Sequence, residues 1–136
     1  MATRPLTQLR RNHVQLLRQP FVGVVSTLRE DGSPHMTPVW VDTDGEHVLF
    51  NTAIGRAKER HLRDDPRAGL VVVDPEDPYR WVSISGQAEL IDEGADEHID
   101  RLAKKYTGAD RYQNRAPGEE RVIVQITPEH IDSRGV

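Results

Sequence analysis

The apolar residues of this chain come in short β-branched runs cut by clusters of turn formers, a pattern that favours antiparallel hairpins over long helices. Residues 21–28 form the densest run, and Glu30-Asp31-Gly32-Ser33-Pro34 breaks it before residues 35–41 resume an extended pattern. A second turn, Asp42-Thr43-Asp44-Gly45-Glu46, leads into Val48-Leu49-Phe50, so three antiparallel strands are predicted in the first third. The wholly apolar residues 70–73 read as a strand buried on both faces. Asp74-Pro75-Glu76-Asp77-Pro78 then forces a loop. Over residues 81–91, Val82, Ile84, Gly86, Ala88 and Leu90 share one face, opposite Trp81, Ser83, Ser85, Gln87 and Glu89. Gly86 within that run predicts a bulge or a close approach of two backbones. Residues 121–127 make the last strand.

Three helices are predicted between the strands. The first covers residues 3–19 and is ended by Pro20; the second opens near Arg56 and is stopped by Pro66; the third covers residues 94–106 and is closed by Thr107-Gly108. About six strands with short helices between them give a mainly β, α+β fold, an antiparallel sheet closed toward a barrel. A doubly wound topology does not fit this order. At 136 residues the chain is read as one domain, 1–136.

The second helix carries its charges in an unusual way. Residues 51–62 read as a strand end followed by a helix start holding Arg56, Lys58 and Arg60, while Asp64 and Asp65 fall at the other end. Cations at the positive end of the macrodipole cost roughly 0.3 to 1 kcal/mol each when exposed. An anion held by Arg56, Lys58 and the free N–H groups of the first turn would offset that cost, so the segment predicts a phosphate site. The competing reading is a solvated face whose cations pair with Glu59, Asp64 or Asp65, at the small gain typical of surface pairs.

Composition narrows the rest. The net charge of -4 argues against a broad nucleic-acid footprint. The absence of cysteine excludes disulfides and thiolate chemistry and is compatible with a reducing compartment, so the cytoplasm is expected. No apolar run approaches the ~20 residues of a membrane span, and no signal-peptide pattern opens the chain, so neither membrane insertion nor export is expected. The six histidines, at 13, 35, 47, 61, 98 and 130, lack helical pairing, and no metal site is expected. Val22 and Val24 lie on one face of the first strand and Phe21 and Val25 on the other, so neither face is solvated and a homodimer packed through sheet faces is expected.

Several segments form an ordered set: Gly23-Val24-Val25-Ser26-Thr27, Asp31-Gly32-Ser33-Pro34, Thr37-Pro38-Val39-Trp40, Asn51-Thr52, Arg56-Ala57-Lys58, then Leu62 and Asp65-Pro66-Arg67-Ala68. This set resembles the pyridoxamine 5'-phosphate oxidase-like split-barrel superfamily, and within it the branch of deazaflavin-dependent oxidoreductases that use coenzyme F-420. The resemblance implies a six-stranded antiparallel split β-barrel with short flanking helices, a homodimer, and a flavin-like cofactor in a cleft between subunits. It implies that Arg56 and Lys58 hold the cofactor phosphate, with Asn51 and Thr52 at the preceding strand end. Thr37, Pro38 and Val39 would lie along the tricyclic ring, and Tyr79 and Trp81 would wall the pocket, if need be from the second subunit. Trp40 reads equally as a core or interface residue and as a ring-stacking one.

The implied chemistry is hydride transfer from the reduced ring to a small conjugated or unsaturated substrate, for which no protein nucleophile is required. No catalytic residue is singled out; solvent, His35 or an arginine would supply the proton. FMN is the alternative cofactor, since the same clamp serves either, and a non-catalytic cofactor-binding or sequestering protein is the alternative from another class. The substrate-facing basic and aromatic residues of true pyridoxamine-phosphate oxidases are not recognisable in residues 131–136, which disfavours vitamin B6 oxidation.

Overall fold

A computed structural model describes residues 7–136. Helix α1 (Arg11–Leu17) is followed by β1 (Gly23–Leu28), β2 (Pro34–Val39), β3 (Asp42–Thr43), β4 (Val48–Ala53), α2 (Ala57–Asp64), β5 (Arg67–Asp74), β6 (Asp77–Ile91), α3 (Ala95–Thr107) and β7 (Arg121–Arg134). The first helix is shorter than predicted, and positions 3–6 of the expected span lie outside the described residues. Its start is fixed from within: His13 Nδ1 accepts the Arg10 backbone N–H at 3.0 Å. The ring proton therefore sits on Nε2, which meets Ser133 Oγ at 3.1 Å. The third helix matches its prediction closely, because glycines with positive φ bound it on both sides, Gly94 at 77° and Gly108 at 82°.

All pairings are antiparallel, in one sheet of order β2-β1-β5-β6-β7-β4-β3. Its two edge strands, β2 and β3, are consecutive in the chain with only Trp40 and Val41 between them. Two residues span only about 7 Å, so the sheet has to curl until its edges nearly meet. The result is the predicted split barrel, with its interior filled by Val25, Phe50, Leu70, Val72, Ile84, Val124 and Ile126 and closed off by Leu16, Leu17 and Leu62 from the helices. The C-terminal end of α3 pins the seam. Tyr106 Oη accepts the Val41 N–H at 2.9 Å and donates to the Phe21 carbonyl at 2.7 Å, while Lys105 Nζ donates to the carbonyls of Leu17 and Val41 at 2.7 and 2.6 Å. Burial lowers the Lys105 ammonium to about 8.

Three sequence expectations need correction. The strand count is seven, not six, because the segment read as the second turn opens with a two-residue strand: Asp42 and Thr43 pair with Leu49 and Val48, and Thr43 Oγ1 closes the turn by donating to the His47 carbonyl at 2.7 Å. The last strand does not stop at Thr127. Pro128 lies opposite Gly86 where the β6–β7 register shifts, and pairing continues to Arg134 beyond this bulge. Finally, β5 is not buried on both faces: Leu70 and Val72 are sealed in the core, whereas Val73 is 40% exposed. Val24 and Met36 of the neighbouring strands are exposed on the same outer face. No helix among the described residues is long and apolar enough to cross a membrane.

Candidate functional site

The helix start that the sequence singled out opens onto a cavity of mixed polarity. The cavity lies beside the barrel seam and measures about 340 Å³, a size within the range of small-molecule sites. Arg56 and Lys58 from the start of α2 line one end with Asn51 and Thr52 from the end of β4 and Arg121 from the start of β7. Val22, Pro38, Val39 and Trp40 from the seam line the rest, with Ile99 and Leu102 of α3 and Tyr112 and Asn114 of the segment before β7.

The charge at the cationic end is only partly compensated. Arg56 is the N-cap of α2 and makes no side-chain cap; its guanidinium pairs with Glu119 at 3.0 Å. Glu59, in the first turn of α2, accepts the Gly55 N–H at 3.2 Å and pairs with Arg63 at 2.9 Å, so the helix carries its own anion. At the C-terminal end Asp64 is the last helical residue and Asp65 the C-cap, as expected, but His61 and Arg63 share the last turn and Asp65 pairs with Arg67 at 2.7 Å, which offsets the charge of the two carboxylates. Of the three cations that line the cavity, Lys58 is the one with no carboxylate partner among the described residues. Among the described residues its Nζ donates only to the Thr37 hydroxyl, at 3.0 Å. Burial, followed by repulsion from Arg56 and Arg121, holds its ammonium below its ordinary value.

Three buried polar atoms near this end make no hydrogen bond among the described residues: the Thr52 hydroxyl, Arg121 Nη1 and Glu119 Oε2, the last two facing each other as an ion pair at 3.3 Å. A ligand oxygen would satisfy the Thr52 hydroxyl and Arg121 Nη1, and an unsatisfied buried polar atom is costly otherwise. Beside this pole, Trp40 stacks on Tyr106 with centroids 5.5 Å apart and planes at 11° and meets Tyr112 edge-on at 6.0 Å, and the Tyr112 ring lies 5.2 Å from the Arg121 guanidinium. An aromatic and aliphatic wall thus adjoins a cationic pole, an arrangement that fits a planar ring carrying an anionic tail.

The structure brings together Pro38, Val39, Asn51, Thr52, Arg56 and Lys58 around one cavity and ties Thr37 to it through Lys58. Tyr79 and Trp81 lie elsewhere in this chain. Tyr79 is 65% exposed beneath the Arg134 guanidinium, and Trp81 stands beside Val71 and Val73 on the outer sheet face. Sequence reasoning missed Arg121, Glu119, Tyr112 and Asn114. One usable signal was present: an arginine that begins an otherwise apolar strand, Arg121-Val122-Ile123-Val124, must bury its charge or break the pattern.

The sequence profile of pyridoxamine 5'-phosphate oxidase matches residues 9–135, nearly the whole described chain. The chain belongs to the pyridoxamine 5'-phosphate oxidase family. Among individual members of this family and fold, the chain is 27% identical over 128 residues to an F420H(2)-dependent biliverdin reductase of Mycobacterium tuberculosis, a match covering 92% of this chain and 88% of that protein. It superposes on the solved structure of an F420 reductase with a TM-score of 0.78 at 27% identity, covering 91% of this chain and 98% of that one. A conserved hypothetical protein of Mycobacterium tuberculosis superposes with a TM-score of 0.73 at 24% identity over 98% of this chain and 89% of its own, which supports the fold alone.

Proposed function

We propose that the chain is a deazaflavin-dependent oxidoreductase that binds coenzyme F-420 in this cavity and reduces a small conjugated acceptor. The observation that carries the reading is the half-buried Lys58, which shares a pole with Arg56 and Arg121 and has only a hydroxyl as partner among the described residues. Two relatives, each 27% identical, are named for the same cofactor. When bound, the reduced cofactor supplies the hydride. The chain's own residues bind, orient and exclude water. Arg56 and Lys58 hold the phosphoryl group beside Asn51 and Thr52; Thr37, Pro38 and Val39 border the ring; Trp40 and Tyr112 keep the apolar end dry.

Fluorescence titration with coenzyme F-420 and with FMN tests the cofactor, and loss of reduced deazaflavin absorbance with biliverdin and other conjugated acceptors tests turnover. Tighter deazaflavin binding and acceptor-dependent decay are expected. FMN binding without deazaflavin binding would move the assignment to FMN, and binding with no decay for any acceptor would make the protein a carrier.

We further infer that the protein is a homodimer. Val22 and Pro38 line the cavity from the same side of the sheet that exposes Val24, Met36 and Val73, so the cavity opens onto an apolar face. A second copy placed there would bury these side chains and bring its own Tyr79 or Trp81 within reach of the opening. Sedimentation equilibrium is expected to give twice the chain mass, falling to one chain in a Val24→Asp, Val73→Asp variant. A monomeric wild type would rule this assembly out.

A further inference from the structure

Arg121 is the most deeply placed cation at the cavity, with a side chain only 3% exposed. A guanidinium in such a place stays charged and needs partners for each face. One partner is Asn51, whose Oδ1 accepts from Arg121 Nε at 2.8 Å. The Asn51 amide cannot turn over, because its Nδ2 donates to the Ala95 carbonyl at 2.9 Å and to His98 Nδ1 at 3.1 Å. His98, fully buried, has its other nitrogen 3.1 Å from Asp42 Oδ2. Since Nδ1 accepts, Nε2 carries the proton and donates to Asp42, so one tautomer is set along the whole chain from Asp42 to Arg121. Tyr112 lies under the guanidinium with its centroid 5.2 Å away.

The remaining partner is shared. Glu119 places Oε1 3.0 Å from Arg56 and Oε2 3.3 Å from Arg121, so one carboxylate draws two guanidiniums toward Lys58. Three cations face one carboxylate, the Thr52 hydroxyl makes no hydrogen bond among the described residues, and Arg121 Nη1 has only the ion pair with Glu119 Oε2 at 3.3 Å, without hydrogen-bond geometry. Stability alone does not account for such a grouping, since like charges in a half-buried pocket repel one another.

We propose that Arg121 is a third cationic ligand of the anion held by Arg56 and Lys58, and that Asp42, His98 and Asn51 form a buried positioning chain that aims its guanidinium. The ligand chemistry is a phosphoryl group. This rests on the reading of the cavity as a cofactor site, but it concerns the anion alone and is testable without any redox reaction.

The probe is inorganic phosphate, titrated calorimetrically at fixed low ionic strength, with the melting temperature of each variant as a folding control. Arg121→Met is expected to bind phosphate about tenfold more weakly or worse, as for loss of one hydrogen bond to a charged group. His98→Asn does not border the cavity and is expected to weaken phosphate binding severalfold through the loosened Asn51. Should Arg121→Met not fold, Arg121→Lys carries the test: the retained charge on an unconstrained stem is expected to bind severalfold more weakly. Wild-type phosphate affinity in a folded Arg121 variant, or no phosphate binding by the wild-type protein, would overturn the ligand role. Wild-type affinity in folded His98→Asn would overturn the positioning chain. A protein that binds phosphate but not deazaflavin loses the proposed function and keeps this inference; one that binds deazaflavin equally well with Arg121→Met loses this inference alone.

Discussion

Replacing Arg56 and Lys58 together by alanine is expected to weaken binding of a phosphate-bearing cofactor by about 1000-fold. Hydrogen bonds to charged groups contribute roughly 1.5 to 3 kcal/mol each. Lys58 belongs toward the upper part of that range, because its ammonium is half-buried and among the described residues has only the Thr37 hydroxyl to lean on. Arg56 belongs at the lower end, since its side chain is 51% exposed and is already paired with Glu119. The ligand-free protein should respond in the opposite sense. Lys58 has a folded-state value below that of the unfolded chain, so the unfolded chain binds its proton more tightly. Below that folded-state value its charge opposes folding, and the opposition fades as pH rises toward the ordinary lysine range. At neutral pH, Lys58→Met, which keeps the stem, is expected to hold or raise the melting temperature without ligand while weakening cofactor binding. Cofactor affinity equal to wild type in the double variant would show that the anion sits elsewhere.

The second large effect concerns the barrel. Gly86→Ala is expected to destabilise the fold by about 3 kcal/mol or more, seen as a fall of roughly 10 °C in melting temperature for a chain of this length. A Cβ at position 86 would stand 1.9 Å from the Thr127 carbonyl oxygen and 2.9 Å from its carbon, with the Glu129 nitrogen at 3.1 Å. All three are backbone atoms of β7 at the bulge, so no side chain can swing aside. Gly69→Ala provides the control within the same sheet: its new Cβ would meet nothing nearer than 3.8 Å, and a change within about 1 kcal/mol is expected. Equal melting temperatures for the two variants would mean that the close crossing at Gly86 does not constrain the sheet.

Both predictions start from features visible in the residues alone. Gly86 interrupts an otherwise regular alternation, and a strand that gives up a side chain does so for a bulge or a close backbone. Arg56 and Lys58 stand at a helix start, where the dipole makes cations costly. The hairpins and the limits of α3 were legible for the same reason: turn chemistry and helix caps act over a few neighbouring residues. Elements governed by distant partners were not. The strand β3 exists because Leu49 and Val48 offer it pairing, and β7 continues past Pro128 because β6 opposite it is long enough to accept a shifted register.

The sequence by itself determined a mainly β chain of hairpins, one helix start loaded with cations, and the family to which they belong. Those are local quantities: side-chain period, backbone freedom at glycine, and charge beside a dipole. Tertiary structure alone decided that β2 and β3 would meet at a seam. It also decided that Asn51, Glu119 and Arg121, which are up to 70 residues apart, would close around Lys58, and that Tyr79 and Trp81 would lie on the outer face of this chain. Curling a seven-stranded sheet brings together side chains whose spacing along the sequence carries no trace of their contact. A buried charge is stabilised only by partners that the folded barrel supplies.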